Sequence, residues 1–261
     1  MLPRSELLQG SRNPDLLTVV IDQAEQALRT WEPVWTGFLA ADGREEVERL
    51  LGSLSEVALI SDGGWPQAER RRLLLHRREQ ASEELVLSAP LMGLLLSGNF
   101  LFDPAEPSDV RRGLIEAGAD PSSLGDIWMR GDRGAQLVIS AEQAELWQGR
   151  AAQVRSVEVQ AELVPLAQLQ LPASRSPKQL SSVEASLRLD AVGSAGLGLS
   201  RNRMADLIRA GAVRVNWSVI TSPSREVQRG DRIRLDGRGE LEIQEIQPTK
   251  RDRWRVVMER R

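Results

Sequence analysis

Apolar residues recur with helical spacing at Leu16, Leu17, Val20, Ile21, Ala24, Ala27 and Leu28. Residues 15–31 therefore predict an amphipathic helix, with Asn13 placed to cap it and Pro14 in its first turn. A shorter helix is expected over 43–51, and a strand over 56–60 that closes on the turn residues Asp62-Gly63-Gly64. Residues 1–71 thus read as a mainly helical region. From Arg72 the pattern changes. Leu91–Phe102 is a largely apolar run, read as a buried strand, and Ser108–Ala117 has helical spacing at Val110, Leu114 and Ile115 before Gly118 stops it. Asp126–Arg130 and Ala135–Ser140 read as strands of a hairpin through Gly131-Asp132-Arg133-Gly134. A helix over 141–150 and an alternating strand over 154–163 follow. The order β-α-β-β-α-β is the split βαβ of the ferredoxin-like fold.

RNA-recognition (RRM) domains share that order and stack bases on aromatic residues of their central strands. The strand Ala135-Gln136-Leu137-Val138-Ile139-Ser140 has no aromatic residue. An RRM-like scaffold without the usual stacking platform is therefore expected over 72–170. The prolines and serines of Leu171–Lys178 then break the pattern, and a linker is placed at 171–182. Beyond it, 183–192 reads as a short helix and 193–198 as a glycine-rich bend. Arg201–Ala210 reads as a second helix, capped by Ser200 and ended by Gly211. Strand alternation turns Val213 and Val215 inward and Arg214 and Asn216 outward. Strands over 232–235, 240–247 and 254–258 complete the segment 183–261, with a tight turn at Asp236-Gly237. The fold class is α+β.

Charge sharpens this division. The 261 residues carry a net charge of −3, yet residues 174–261 hold 18 Lys and Arg against 11 Asp and Glu. Residues 1–173 hold 16 against 26. A basic C-terminal part behind an acidic remainder points to a polyanionic partner for that part. There is no cysteine, one histidine and no tyrosine. That excludes disulfides, thiolate nucleophiles and cysteine-based zinc sites. No cofactor or metal is expected. The apolar runs are too short to span a bilayer, the first residues lack a signal-peptide core, and a cytoplasmic location is expected.

The segments SLRLDAV, SRNRMADLIRAGAVRVN and RGDRIRL resemble the small S-four RNA-binding module, the alpha-L motif. Its pattern is carried by Arg188, Leu189, Asp190, Ser200, Arg201, Leu207, Ile208, Gly211, Val213, Val215, Asn216, Gly230 and Asp231. Trp217-Ser218 stand where the module usually has glycine. GGWPQAER (63–70) and SLGDIWMRGDRGAQLVI (123–139) resemble the matching segments of the YlmH family. That family carries the module behind an RRM-like domain, and the chain is most similar to its photosynthetic branch, the photosystem II S-four domain proteins. Glu106-Pro107-Ser108-Asp109 replaces a His-Arg-Asp-type segment of the family. The resemblance implies RNA binding without catalysis, with ribosomal RNA, tRNA and the large ribosomal subunit as partners. The alternative it implies is a photosystem II assembly factor acting by protein docking or on messenger RNA.

Arginine offers a planar fork to phosphate oxygens and stacks on bases, and a helix start adds backbone N–H groups. Arg188, Ser200, Arg201, Arg203, Arg209, Arg214 and Asn216 are the expected RNA contacts. Arg70, Arg71, Arg72, Arg77 and Arg78 form a second basic cluster. It reads as the charged guard of an edge strand, and also as an auxiliary RNA surface. Pseudouridine synthases carry a catalytic Asp in an Arg-Leu-Asp segment. Here Arg188-Leu189-Asp190 falls within the module's own first helix, and no catalytic residue is assigned.

Overall fold

In the computed structural model, which describes residues 2–80, 85, 88–172, 177–235 and 238–260, Asn13 and Pro14 open the longest helix as their chemistry dictates. The Asn13 side chain accepts a hydrogen bond from the Leu16 N–H at 3.3 Å, one of the donors that a helix start leaves over. The described residues form two units, Met1–Pro172 and Ala173–Arg261.

The first unit begins with α1 (Arg4–Leu8), α2 (Pro14–Thr30), β1 (Val34–Trp35), α3 (Ala41–Gly52), β2 (Val57–Asp62) and β3 (Arg72–Arg77). The three strands form an antiparallel sheet in the order β1-β3-β2. Leu17, Val20, Ile21 and Ala24 of α2 pack with Leu73 and Leu75 of β3. This corrects the expectation that Arg72 opens the central part, and that its basic run lies on an edge strand. β3 is the middle strand of the N-terminal sheet, and Arg72 to His76 are all buried. A strand covered on both faces shows no alternation to reveal which sheet it joins.

The unit continues with β4 (Leu91–Ser97), α4 (Pro107–Glu116), β5 (Leu124–Met129), β6 (Gly134–Ser140), α5 (Ala141–Ala144), β7 (Ala151–Val154) and β8 (Val157–Val164). Its antiparallel sheet has the order β5-β6-β4-β8-β7, and β5-β6-β4-β8 stand in the split βαβ order. Two expectations change. The helix over 141–150 is one turn of α-helix followed by a 3-10 turn over Glu145–Trp147. The strand over 154–163 is a hairpin, because Arg155 adopts a φ of 55° and returns the chain so that Val154 pairs with Val157.

Every residue of β6 is buried. Ala135, Leu137 and Ile139 face a core that includes Trp147, whereas Val138 packs with Phe38, Leu91, Val164 and Leu169. The sheet face on which an RRM stacks bases is thus covered by the chain's own side chains. Asp126 helps fix this cover. Its carboxylate accepts hydrogen bonds from the Trp65 indole N–H at 3.1 Å and from the N–H groups of Glu69 at 2.8 Å and Arg70 at 2.9 Å. Burial pushes this carboxyl above the ordinary range, against those hydrogen bonds.

The second unit contains β9 (Lys178–Glu184), α6 (Leu189–Leu197), α7 (Arg201–Arg209), β10 (Val213–Val215), β11 (Ser218–Val219), β12 (Arg232–Leu235), β13 (Gly239–Pro248) and β14 (Trp254–Arg260). Its antiparallel sheet has the order β11-β10-β12-β13-β14-β9. Residues 178–184, expected as linker and helix start, are instead an edge strand that pairs with β14 from Lys178↔Arg260 to Glu184↔Trp254. The glycine-rich bend expected over 193–198 is the body of α6. Its glycines serve close packing, since a Cβ on Gly196 would lie 2.2 Å from Leu241 Cδ2. Gly198, at a φ of 67°, ends the helix. Residues 173–176 of the expected linker and the turn Asp236-Gly237 lie outside the described residues.

α6 and α7 cover one face of this sheet. Leu189, Val192, Met204 and Ile208 pack on Val213, Val215, Ile233, Leu235, Leu241 and Ile243. Alternation then sends Arg214, Arg232 and Arg234 to the opposite face.

Candidate nucleic-acid interface

The starts of α6 and α7 meet at one buried carboxylate. Asp190 is 5% exposed. Arg188, the residue before α6, donates to it from Nε at 3.1 Å and from Nη2 at 2.9 Å. Arg201, the first residue of α7, donates from Nη2 at 3.2 Å. Burial pushes the Asp190 carboxyl up, but the Arg188 and Arg201 hydrogen bonds outweigh it and hold the group below the ordinary carboxylate range. The carboxylate thus orients two guanidiniums whose side chains stay 39% and 53% exposed. Held between them, Asp190 is not presented as an open nucleophile.

The α6 start is also fixed from outside the helix. The Leu189 N–H donates to the Arg225 carbonyl at 2.8 Å and the Asp190 N–H to the Pro223 carbonyl at 3.1 Å. α7 starts on its own cap, with the Ser200 hydroxyl accepting from the Arg203 N–H at 3.2 Å. Arg203 is exposed beside it. At the other end of α7, Arg209 pairs with Asp206 at 3.0 Å, both side chains well exposed.

Arg214 is not part of this group. It lies on the far face of the sheet, with Arg234 of β12 as its cross-strand neighbour. Asn216 is spent on the fold. Its Nδ2 donates to Asp231 Oδ1 at 2.6 Å, and its Oδ1 accepts from the Arg232 N–H at 2.9 Å. Asp231 is itself buried and accepts from the Gln228 N–H at 3.0 Å. The Asn and Gly-Asp positions of the motif therefore clasp the β10–β11 turn to the start of β12.

Sequence reasoning passed over Trp217, Arg232 and Arg234 as site residues. The Trp217 ring lies over the Arg232 guanidinium at 5.0 Å and the Arg234 guanidinium at 5.5 Å. The alternation in Arg232-Ile233-Arg234-Leu235 was the available signal, since it aims both arginines away from the core.

The second basic cluster is drawn into the fold, and for Arg72 the expected surface is corrected. Arg72 is 5% exposed, forms a two-pronged pair with Glu142 at 3.0 Å on each prong, and donates to the Thr36 and Pro90 carbonyls. Arg70 donates to the Leu124 and Phe38 carbonyls, and Arg71 to those of Ala68 and Pro66. Arg77 donates to the Leu28 carbonyl and stacks over Trp31 at 3.9 Å. Arg78 collects the carbonyls of Gly52, Leu54, Ser55 and Val57. These guanidiniums tie loops and helix ends together; Arg72 is buried away from any surface, whereas Arg70, Arg71 and Arg77 are half-buried and Arg78 is exposed. His76 is buried, with Nδ1 2.8 Å from the Arg77 carbonyl oxygen.

The family profile "YlmH, N-terminal" matches residues 12–80, and the S4 (S-four) domain profile matches residues 187–233. The chain is 31% identical over 229 residues, 86% of each chain, to the "Ribosome-associated protein quality control protein P2" of Bacillus subtilis (strain 168). The chain belongs to the YlmH family. The "Cell division protein ylmH from Streptococcus pneumoniae" covers 60% of this chain and 93% of its own, at 18% identity and a TM-score of 0.47. The chain thus carries an S-four domain within the YlmH family, and its Bacillus subtilis relative is, by its printed description, ribosome-associated. No helix among the described residues is long and apolar enough to cross a membrane.

Proposed function

We propose that this chain is a non-catalytic, cytoplasmic RNA-binding protein that acts on the large ribosomal subunit, where it contacts ribosomal RNA and tRNA through its S-four unit. The observation that carries this reading is the convergence of Arg188 and Arg201 on buried Asp190. It presents two oriented guanidiniums at the start of α7, where free backbone N–H groups favour a phosphate. Arg203 and Arg209 extend the charge along α7, and Arg214 carries it to the other sheet face. The Bacillus subtilis relative, by its printed description, is a ribosome-associated quality-control protein. A ribosome-rescue role for this chain follows by likeness.

Phosphate contacts release counterions, so affinity falls with salt at a log–log slope of about −0.7 to −0.9 per contact. The wild-type chain is expected to bind a structured ribosomal RNA fragment with a slope corresponding to several contacts. Arg201→Gln with Arg214→Gln is expected to weaken binding at least about tenfold and to flatten the slope by about two contacts, with the circular dichroism spectrum unchanged. Gln is the informative replacement at 201, because Glu would face the Asp190 carboxylate. Docking on a protein, as in the photosystem-assembly alternative, predicts affinity for RNA that is unaffected by the double substitution.

A further inference from the structure

Trp217 stands where the backbone asks for glycine. β10 and β11 are joined by the two-residue turn Asn216-Trp217, since Val215 pairs with Ser218. The two residues have φ of 48° and 69°. Positive φ at both positions is the type I′ geometry, whose preferred sequence is Asn-Gly. Asn216 fits it, but a bulky L side chain at the second position is strained. The strain is not offset in the core, because Val213, Val215, Ile233 and Leu235 already fill the inner face of these strands. Strain kept at a turn outside the core points to use at that turn.

What the turn achieves is placement. The half-buried indole is carried to the outer sheet face and over Arg232 and Arg234. Arg214 lies in register beside Arg234. On the β13 side the face turns acidic, with Glu240 3.8 Å from Arg232 Nε and Glu242 in register with Arg232. An aromatic ring set among guanidiniums is how proteins hold single-stranded nucleic acid, the ring stacking on a base and the charges following the backbone.

We propose that Trp217, with Arg214, Arg232 and Arg234, is a stacking site for an unpaired nucleobase of RNA. It supplies on the S-four sheet the platform that the covered central sheet lacks. The proposal rests on the RNA-binding reading above and adds to it a preference for RNA with an extruded or unpaired base.

The test uses the full chain and two hairpin probes, one fully paired and one with a single unpaired adenine replaced by fluorescent 2-aminopurine. The readout is the ratio of the two affinities, together with quenching of the probe. Wild type is expected to favour the unpaired probe about tenfold and to quench it. Trp217→Gly is expected to fold, since it restores the preferred turn residue, while the ratio collapses to about one and quenching is lost. Trp217→Phe is expected to retain most of the preference. An unchanged ratio in Trp217→Gly overturns the stacking site, as does a lowered melting temperature with the ratio intact, which would make the ring structural. Failure of wild type to bind either probe instead overturns the RNA reading itself, and Arg201→Gln binding the paired probe as wild type does overturns the assignment of the α7 start as its phosphate site.

Discussion

Asp190 decides what the two arginines beside it can do. It is buried and ionised, and its charge is matched by Arg188 and Arg201 from different helix starts. Asp190→Asn removes that charge. At neutral pH it is expected to cost about 1 kcal/mol, because both arginines are partly exposed and solvent screens them. The pH dependence has a definite sign. A carboxyl held below its ordinary value stabilises the fold above that value and loses the effect as pH falls through the lowered one. Urea midpoints of wild type and Asp190→Asn should therefore differ at pH 7 and begin to converge only as pH falls below about 4. A gap that stays constant with pH would refute the ion-pair account. The arginine run at 70–72 teaches the opposite lesson. In sequence it reads as a surface charge run, because nothing local reveals that Glu142 lies 70 residues away across the Arg72 guanidinium. Arg72→Ala is expected to lower stability by about 2–4 kcal/mol, against less than about 0.5 for exposed Arg203→Ala, as read by denaturant titration.

At the scale of elements, what was legible was what is decided locally. α2 and α7 were visible because stripe, cap and stop lie within a few residues of each other, at Asn13 and Pro14 for one and at Ser200 and Gly211 for the other. α6 was misread because its start is set by carbonyls of Pro223 and Arg225, more than 30 residues downstream. β9 reads as linker and helix start in sequence because a polar edge strand has little pattern, and its partner β14 lies about 70 residues downstream. Helix positions of glycine were likewise unreadable as contacts. In α4, a Cβ on Gly113 would lie 2.3 Å from the Gln153 carbonyl oxygen. Backbone cannot swing aside as a side-chain tip can. Gly113→Ala should therefore destabilise by about 1–3 kcal/mol despite a helix-propensity gain of about 1 kcal/mol. A raised melting temperature in this variant would show that α4 and β7 do not pack this closely.

At the scale of the molecule, the charge asymmetry of the sequence corresponds to a division of labour. The acidic first unit spends the arginines of its 70–78 cluster on its own carbonyls and closes the face of its central sheet. The basic second unit keeps guanidiniums exposed at the start of α7 and half-buried on the outer face of β10 and β12. Of the candidate contacts, Arg188 and Arg201 are legible from the motif and pairing with Asp190 is open to each, but only the fold shows both converging on that one buried carboxylate. Arg214 was rightly aimed outward, yet its neighbours Arg232, Arg234 and Trp217 come from pairings between strands that only the folded sheet brings together. The account stands most directly on which molecule this basic unit touches in the cell. Ultraviolet crosslinking followed by sequencing of the bound RNA, with the Arg201→Gln, Arg214→Gln variant as control, measures that. The account predicts reads concentrated on ribosomal RNA and tRNA that disappear in the variant. Reads no more abundant than in the variant, or confined to a few messenger RNAs, would contradict it.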